Sequence, residues 1–268
     1  MTESRWKLVM DRQGRTTIAA DKFELTTTTS EPLQMEAIVS ELMAMTRRTY
    51  GQYCGLSRAM EMVGERWGML IVRDLLVSPK SVAELHQGLP LIPTELLASR
   101  LKEMERSGVV RIQDNAEEGA EARYELTEYG QALEEVVLAF GRWGAATLHQ
   151  PRPEDVVTPD SLTMALRATF QSEAAKGLRV SYELHFGDIV LNAKIDDGRL
   201  TVGRGPLPGA DAVLEPGPLL KGLMTGEVTP AEALASGTTK LTGDPELLSV
   251  FAMLFRLPQL PAPAPVPA

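Results

Sequence analysis

The side chains with the most reactive chemistry in this sequence are few and far apart. The 268 residues include three histidines, His86, His149 and His185, and one cysteine, Cys54. A zinc site gathers about four nitrogen, sulfur or carboxylate ligands at short spacing, and nothing here is grouped that way. No metal and no cofactor is therefore expected. The run "GRGPLPG" from Gly203 is glycine-rich, but its prolines break the phosphate-loop pattern and no helix clearly follows it. No G-x-S-x-G nucleophile turn occurs. The chain is not expected to be an enzyme. Cys54 has two readings, a small, partly buried hydrophobe or a reactive thiol whose pKa is lowered by Arg58 one turn on.

A different chemistry is written in "LPLIPTELLASRLKEMERSGVVRI", residues 89–112. As a helix, it places Leu97, Leu101 and Met104 on one stripe. The other side carries Thr94, Glu95, Ala98, Ser99 and Lys102, a sparse set of small and hydrogen-bonding groups. The major groove of DNA, about 12 Å wide, admits a helix and favours such groups over long acidic ones. Arg100 lies nearer the edge, within reach of a phosphate. A short, weakly charged surface helix is the alternative reading. Glu95 counts toward that alternative, because phosphates repel a carboxylate even where the helix dipole favours it.

The elements needed to position that face can be read on either side of it. "LSRAMEMVG" is a short helix burying Met60 and Val63, and "RWGMLIVRDLLVSP" is a second with Trp67, Leu70, Ile71 and Leu75 inward. "SVAEL" offers a capping box between Ser81 and Glu84 that opens a third. Pro93 suits the first helical position of the next helix, and Gly108 suits the left-handed position that ends it. "VVRIQ" and "RYELT" then alternate about a polar loop, a β-hairpin. Thr127 caps a long helix through about Leu148, with Leu133, Val137, Phe140 and Gly144 on a stripe. Two helices, a turn and a hairpin in this order make a winged helix-turn-helix.

Composition sets the frame for these elements. Hydrophobic residues at 44% and charged residues at 24% are ordinary globular values. Net charge is −9, so overall charge gives no attraction to nucleic acid, and any contact must rest on local arrangement. The length suits about two domains. No run approaches the ~18 apolar residues of a membrane helix, and no signal peptide is expected. A lone cysteine fits a reducing cytoplasm. Residues 1–46 read as an extension, with "ELTTTTSEP" a loop and Met35, Ile38, Val39 and Leu42 at helical spacing. The winged segment covers 47–150, a proline-rich linker 151–160, a second unit 161–257, and a Pro/Ala tail 258–268.

The second unit is α+β. "SLTMALRATF" is an amphipathic helix with Leu162, Ala165, Leu166, Thr169 and Phe170 on its stripe. "RVSYELHF" puts Val180, Tyr182, Leu184 and Phe186 on one face, and "IVLNAKI" does so with Ile189, Leu191, Ala193 and Ile195. "RLTVG" follows the Asp197-Gly198 turn, giving an antiparallel meander with one covered face. Three helices come after it: one marked by Leu219, Leu220 and Leu223, one opened by a Thr229–Glu232 capping box, and one from Asp244 to about Arg256.

Residues 51–148 resemble the HxlR family of bacterial transcription regulators. The motifs that carry the likeness are "GERW", "LLASRLKEMERSGVV" and "YELTEYG". The resemblance implies a homodimer on double-stranded DNA, paired through its first helix and the helix after the wing. It implies DNA contacts at Thr94, Ser99, Arg100 and Lys102, with Lys80 and Ser81 near the DNA backbone and Arg111 and Arg123 at the wing base. Two departures stand out: the family usually has a basic-aromatic pair where this chain has Ser81 and Val82, and the wing loop holds Glu117, Glu118 and Glu121. Residues 162–257 are similar to sterol carrier protein-like domains, which implies a pocket for a small apolar or lipid-like effector, lined by Tyr182, Leu184, Phe186, Leu191 and Leu223. Apolar faces that simply fill their own core are the competing reading. The expected whole is a cytoplasmic, effector-responsive regulator that does not enter membranes. The alternative is a carrier protein whose winged helix serves dimerisation.

Overall fold

The computed structural model describes residues 7–10, 16–20, 23–27, 49–113, 121–148, 152 and 155–259. The chain divides into two compact units, Met1–Glu61 and Met62–Ala268. In the first, β1 (Lys7–Met10), β2 (Thr16–Ala20) and β3 (Phe23–Thr27) form an antiparallel sheet in the order β1-β2-β3. β3 takes in residues 24–27 of the "ELTTTTSEP" stretch expected to be a loop, and the rest of that stretch lies outside the described residues. Thr26 and Thr27 are β-branched, which suits a pleated strand. The helical spacing from Met35 to Leu42 lies outside the described residues, as does the Pro/Ala tail.

α1 (Gly55–Val63) leads into the second unit. There α2 (Gly68–Val77), β4 (Lys80–Ser81), α3 (Val82–Gly88) and α4 (Thr94–Arg106) are followed by β5 (Val110–Ile112) and β6 (Arg123–Leu126). Ile71, Leu75, Leu85, Leu97, Leu101, Met104, Val110 and Leu126 close one core among them. The capping box at α3 is complete: the Ser81 hydroxyl accepts from the Glu84 amide at 3.3 Å, and the Glu84 carboxylate accepts from the Ser81 amide at 2.7 Å. Pro93 stands one position earlier than expected, as the N-cap of α4. Gly108, at φ 74°, makes the left-handed turn out of it.

Two differences from the sequence reading concern the wing and the helix beyond it. The hairpin β5–β6 gains a third strand, because β4 pairs with β6 through Lys80↔Tyr124 and Ser81↔Arg123. The helix expected from Thr127 is broken into α5 (Glu128–Gln131), α6 (Glu134–Gly144) and a 3-10 turn at Ala145–Thr147. Gly130 explains the approach of α5 to the wing: a Cβ there would lie 2.1 Å from the Val109 carbonyl.

α7 (Pro159–Thr169) starts inside the expected linker, with Thr158 as its cap. β7 (Arg179–Phe186), β8 (Ile189–Asp196) and β9 (Arg199–Arg204) form the expected meander. β10 (Ala212–Glu215), α8 (Leu220–Thr225), α9 (Pro230–Ala235), β11 (Lys240–Gly243) and α10 (Glu246–Leu254) complete the chain. The sheet order is β11-β10-β7-β8-β9. It is mixed rather than antiparallel throughout, since β10 runs parallel to β7. Among the described residues no helix is long and apolar enough to cross a membrane.

α7 is buried on two sides. Leu166, with Leu162 and Phe170, joins the core under the five-stranded sheet. Met164 and Ala168 instead pack with Leu138 and against Leu76, Val77 and Val137 of α2 and α6. The expected single stripe is thereby corrected: Ala165 is exposed, while Thr163 and Met164 are buried. Cations from each side cap helix ends on the other, where terminal carbonyls lack partners. Arg167 donates to the Leu76 carbonyl at 3.1 Å, and Arg142 to the Ala168 carbonyl at 3.0 Å.

Candidate nucleic-acid interface

Leu97, Leu101 and Met104 are each at most 1% exposed, which fixes the rotation of α4. The outward line then runs through Glu95, Ser99, Lys102 and Arg106, all exposed, with exposed Thr94 on its flank. Among the described residues, Lys102 and Arg106 have no ion-pair partner. Arg106 was missed by the sequence reading. It lies one turn beyond Lys102 on the same helical line, and the 3.6-residue period extended to the end of α4 would have found it.

The other basic residues expected at DNA are committed within the fold. Lys80 is 5% exposed, its ammonium 2.9 Å from Asp160, so it is corrected from a backbone contact to a buried ion-pair member. Ser81 is 1% exposed and spends its hydroxyl on the cap of α3, which removes it as a contact as well. Arg100 lies along α4 between Glu103 and Glu65, the latter at 3.2 Å, rather than reaching outward. Arg111 pairs with Glu125 at 2.7 Å. Arg123 donates to the Pro79 carbonyl at 2.6 Å and pairs with Glu84 at 2.9 Å, tying the wing base to the first helix of the motif. Glu117 and Glu118 lie outside the described residues.

Cys54 is exposed, which corrects the partly buried reading. Its thiol pKa is held below the ordinary value by the backbone N–H groups of Ser57 and Leu56 at the start of α1. Arg58 is not the cause, since its guanidinium pairs with Glu61 at 2.8 Å.

The expected effector lining is placed as core. Tyr182, Leu184 and Leu191 are 0% exposed and Leu223 is 2% exposed. The Tyr182 ring meets Phe251 edge-on at 5.5 Å, and its hydroxyl donates to the Leu247 carbonyl at 2.9 Å. Burial pushes that phenol well above its usual range. Phe186 is half-buried. The physical reason is α10, whose Phe251, with Phe255 just beyond the helix, fills the space over the inward face of the sheet. A separate open groove of about 360 Å³, lined by Arg179, Ser181, Lys194, Asp196, Leu207 and Asp211 among others, contains none of the expected lining residues. Among the described residues no group of three or more His, Cys, Asp or Glu could hold a metal ion.

A helix pair seated by a capping box, a second helix with a bare outer line and a strand-built wing together define a winged helix-turn-helix protein. Residues 62–152 match the HxlR-like helix-turn-helix family. The HTH-type transcriptional regulator YodB of Bacillus subtilis is 35% identical over 88 residues, 33% of this chain and 79% of the relative. The uncharacterized HTH-type transcriptional regulator Rv3095 of Mycobacterium tuberculosis is 33% identical over 110 residues, 41% of this chain and 66% of that protein. Among solved structures, the reduced form of YodB is 31% identical, covering 38% of this chain and all of that one, with a TM-score of 0.33. The chain belongs to the HxlR-like helix-turn-helix family. Its relatives are transcriptional regulators, and the family match stops short of the five-stranded sheet.

Proposed function

We propose that the protein is a homodimeric transcriptional regulator that reads double-stranded DNA with α4 and carries an effector module in residues 161–257. The observation that carries the DNA reading is the outward line of α4, where Ser99, Lys102 and Arg106 are exposed while the opposite side is closed into the core. Ser99 and Thr94 read base edges, and the two cations meet phosphates, which fix register without carrying sequence information. Footprinting on DNA selected from a random library tests this directly. Two protected half-sites about one helical turn apart are expected, and uniform, sequence-independent protection would contradict it.

Dimerisation through α6 is supported by Val136, Phe140 and Trp143, which are 43%, 59% and 68% exposed at helical spacing on one face. Phe140→Glu with Trp143→Glu is expected to give a monomer in analytical ultracentrifugation and to abolish operator binding.

The sterol carrier-like reading of the second module is supported by its mixed five-stranded sheet with helices over one face. Tyr182, Leu184, Leu191 and Leu223 form the floor of the proposed site, with Phe186 at its rim. That floor is closed by Phe251 and Phe255, so an apolar effector binds only as α10 moves aside. Fluorescence of a Phe186→Trp variant tests this against fatty acids, sterols and polyketides, and no response across that panel would remove the effector reading.

A further inference from the structure

We infer that Asp160, in the first turn of α7, is a positioning residue for DNA recognition: through Lys80 it holds the root of the wing and the cap of α3. The inference rests on the DNA-binding reading above and adds to it a route from the second module to the DNA-reading helices.

The geometry begins at one carboxylate. Asp160 is 6% exposed, and one of its oxygens lies 2.9 Å from the Lys80 ammonium. Its other oxygen accepts from Arg204 at the end of β9. Lys80 also donates to Ser78 Oγ at 3.2 Å and is otherwise enclosed. A buried ammonium that loses its counter-charge is strongly disfavoured, so Lys80 stays where Asp160 stays.

Lys80 is well placed to transmit that constraint. It is half of β4, which pairs with β6 of the wing, and the next residue, Ser81, caps α3. Arg123 on β6 closes the same corner through the Pro79 carbonyl and Glu84. One ion pair therefore reaches the strand from which both wing and helix-turn-helix hang. Asp160 is itself held from both directions. Behind it, α7 is packed between the core of the five-stranded sheet and the faces of α2 and α6. Arg204 ties its carboxylate to the edge strand β9, so a displacement of that sheet against α7 pulls on the contact that fixes β4.

The test uses the full chain as wild type, Asp160→Asn and Arg204→Gln, with hydrogen–deuterium exchange by mass spectrometry beside operator affinity. Arg204 has a side chain 56% exposed, so its variant keeps the fold even if Asp160→Asn does not. Exchange in residues 79–86 and 122–126 is expected to rise about tenfold in Asp160→Asn and severalfold in Arg204→Gln, with residues 180–195 as protected as in wild type. Operator affinity is expected to fall in the same order, by about two- to thirtyfold. A merely structural role would instead lower protection throughout, β7 and β8 included. Unchanged exchange at the wing root in Arg204→Gln, or a uniform loss, would overturn the inference. Wild type that binds no DNA would overturn the functional reading, while the exchange data would still decide whether Asp160 holds the wing root.

Discussion

Lys102 projects into solvent from α4, whereas Lys80 is covered by Asp160, and the difference separates their measurable roles. A phosphate contact releases counterions, and a homodimer presents each residue twice, so Lys102→Ala and Arg106→Ala should each reduce the slope of log affinity against log salt by about 1.8, in anisotropy titrations on operator DNA. Lys80→Ala should leave that slope unchanged and lower stability, because it removes one of the two cations that neutralise the buried Asp160 carboxylate, Arg204 being the other. Chemical denaturation reads the second effect. At Cys54 the lowered thiol pKa means that more thiolate is present at a given pH than in a free cysteine. Alkylation by iodoacetamide should therefore reach half its maximal rate at lower pH than for a Cys-containing peptide; a coincident profile would remove Cys54 as a reactive thiol. Ser99 and Lys102 on the outward line of α4 were legible from the helical period, and Arg106 would have been had the period been extended to the end of the helix. The burial of Lys80 was not, because its partner lies 80 residues on and no local pattern links them.

The elements of the winged segment are fixed by short-range signals, and those were readable: the Ser81–Glu84 box, Gly108, and the switch to alternating residues at Val110. β4 escaped notice because two residues cannot display a period. The pairing of β10 beside β7 was also hidden, since the apolar alternation of Ala212–Glu215 does not say which neighbour it takes or in which direction. The strands β1 to β3 escaped notice because each is only four or five residues long, too short for a period to stand out. At the scale of a single element, Gly130→Ala should lower the melting temperature markedly, as its Cβ would overlap the Val109 carbonyl and force α5 away from β5. A melting temperature equal to wild type would mean that α5 is free to shift. Glu117→Lys with Glu118→Lys tests the wing tip. If the tip lies over a phosphate groove, non-specific binding strengthens, and an unchanged affinity places the tip away from DNA.

At the scale of the molecule, the sequence places a helix-turn-helix segment beside an α+β module, and in the structure α7 packs against both. The amphipathic stripe of α7 gave only half of its environment. Its second buried face, Met164 and Ala168, looks like an ordinary mix of small and apolar residues until α2 and α6 are packed against it. The expected effector lining was legible as an inward sheet face, but periodicity cannot tell a tunnel wall from a filled core, and here Phe251 and Phe255 fill it. A net charge of −9 makes non-specific attraction weak and leaves recognition to a small number of cations. The central claim is therefore one of specificity, and the most direct test is fluorescence anisotropy of the full chain on DNA from upstream of its own gene, with excess competitor DNA, across a salt series. The account predicts saturable binding that survives competitor, with a salt slope corresponding to a few phosphate contacts. Binding that competitor removes at every salt concentration, there and on library-selected sites, would contradict it.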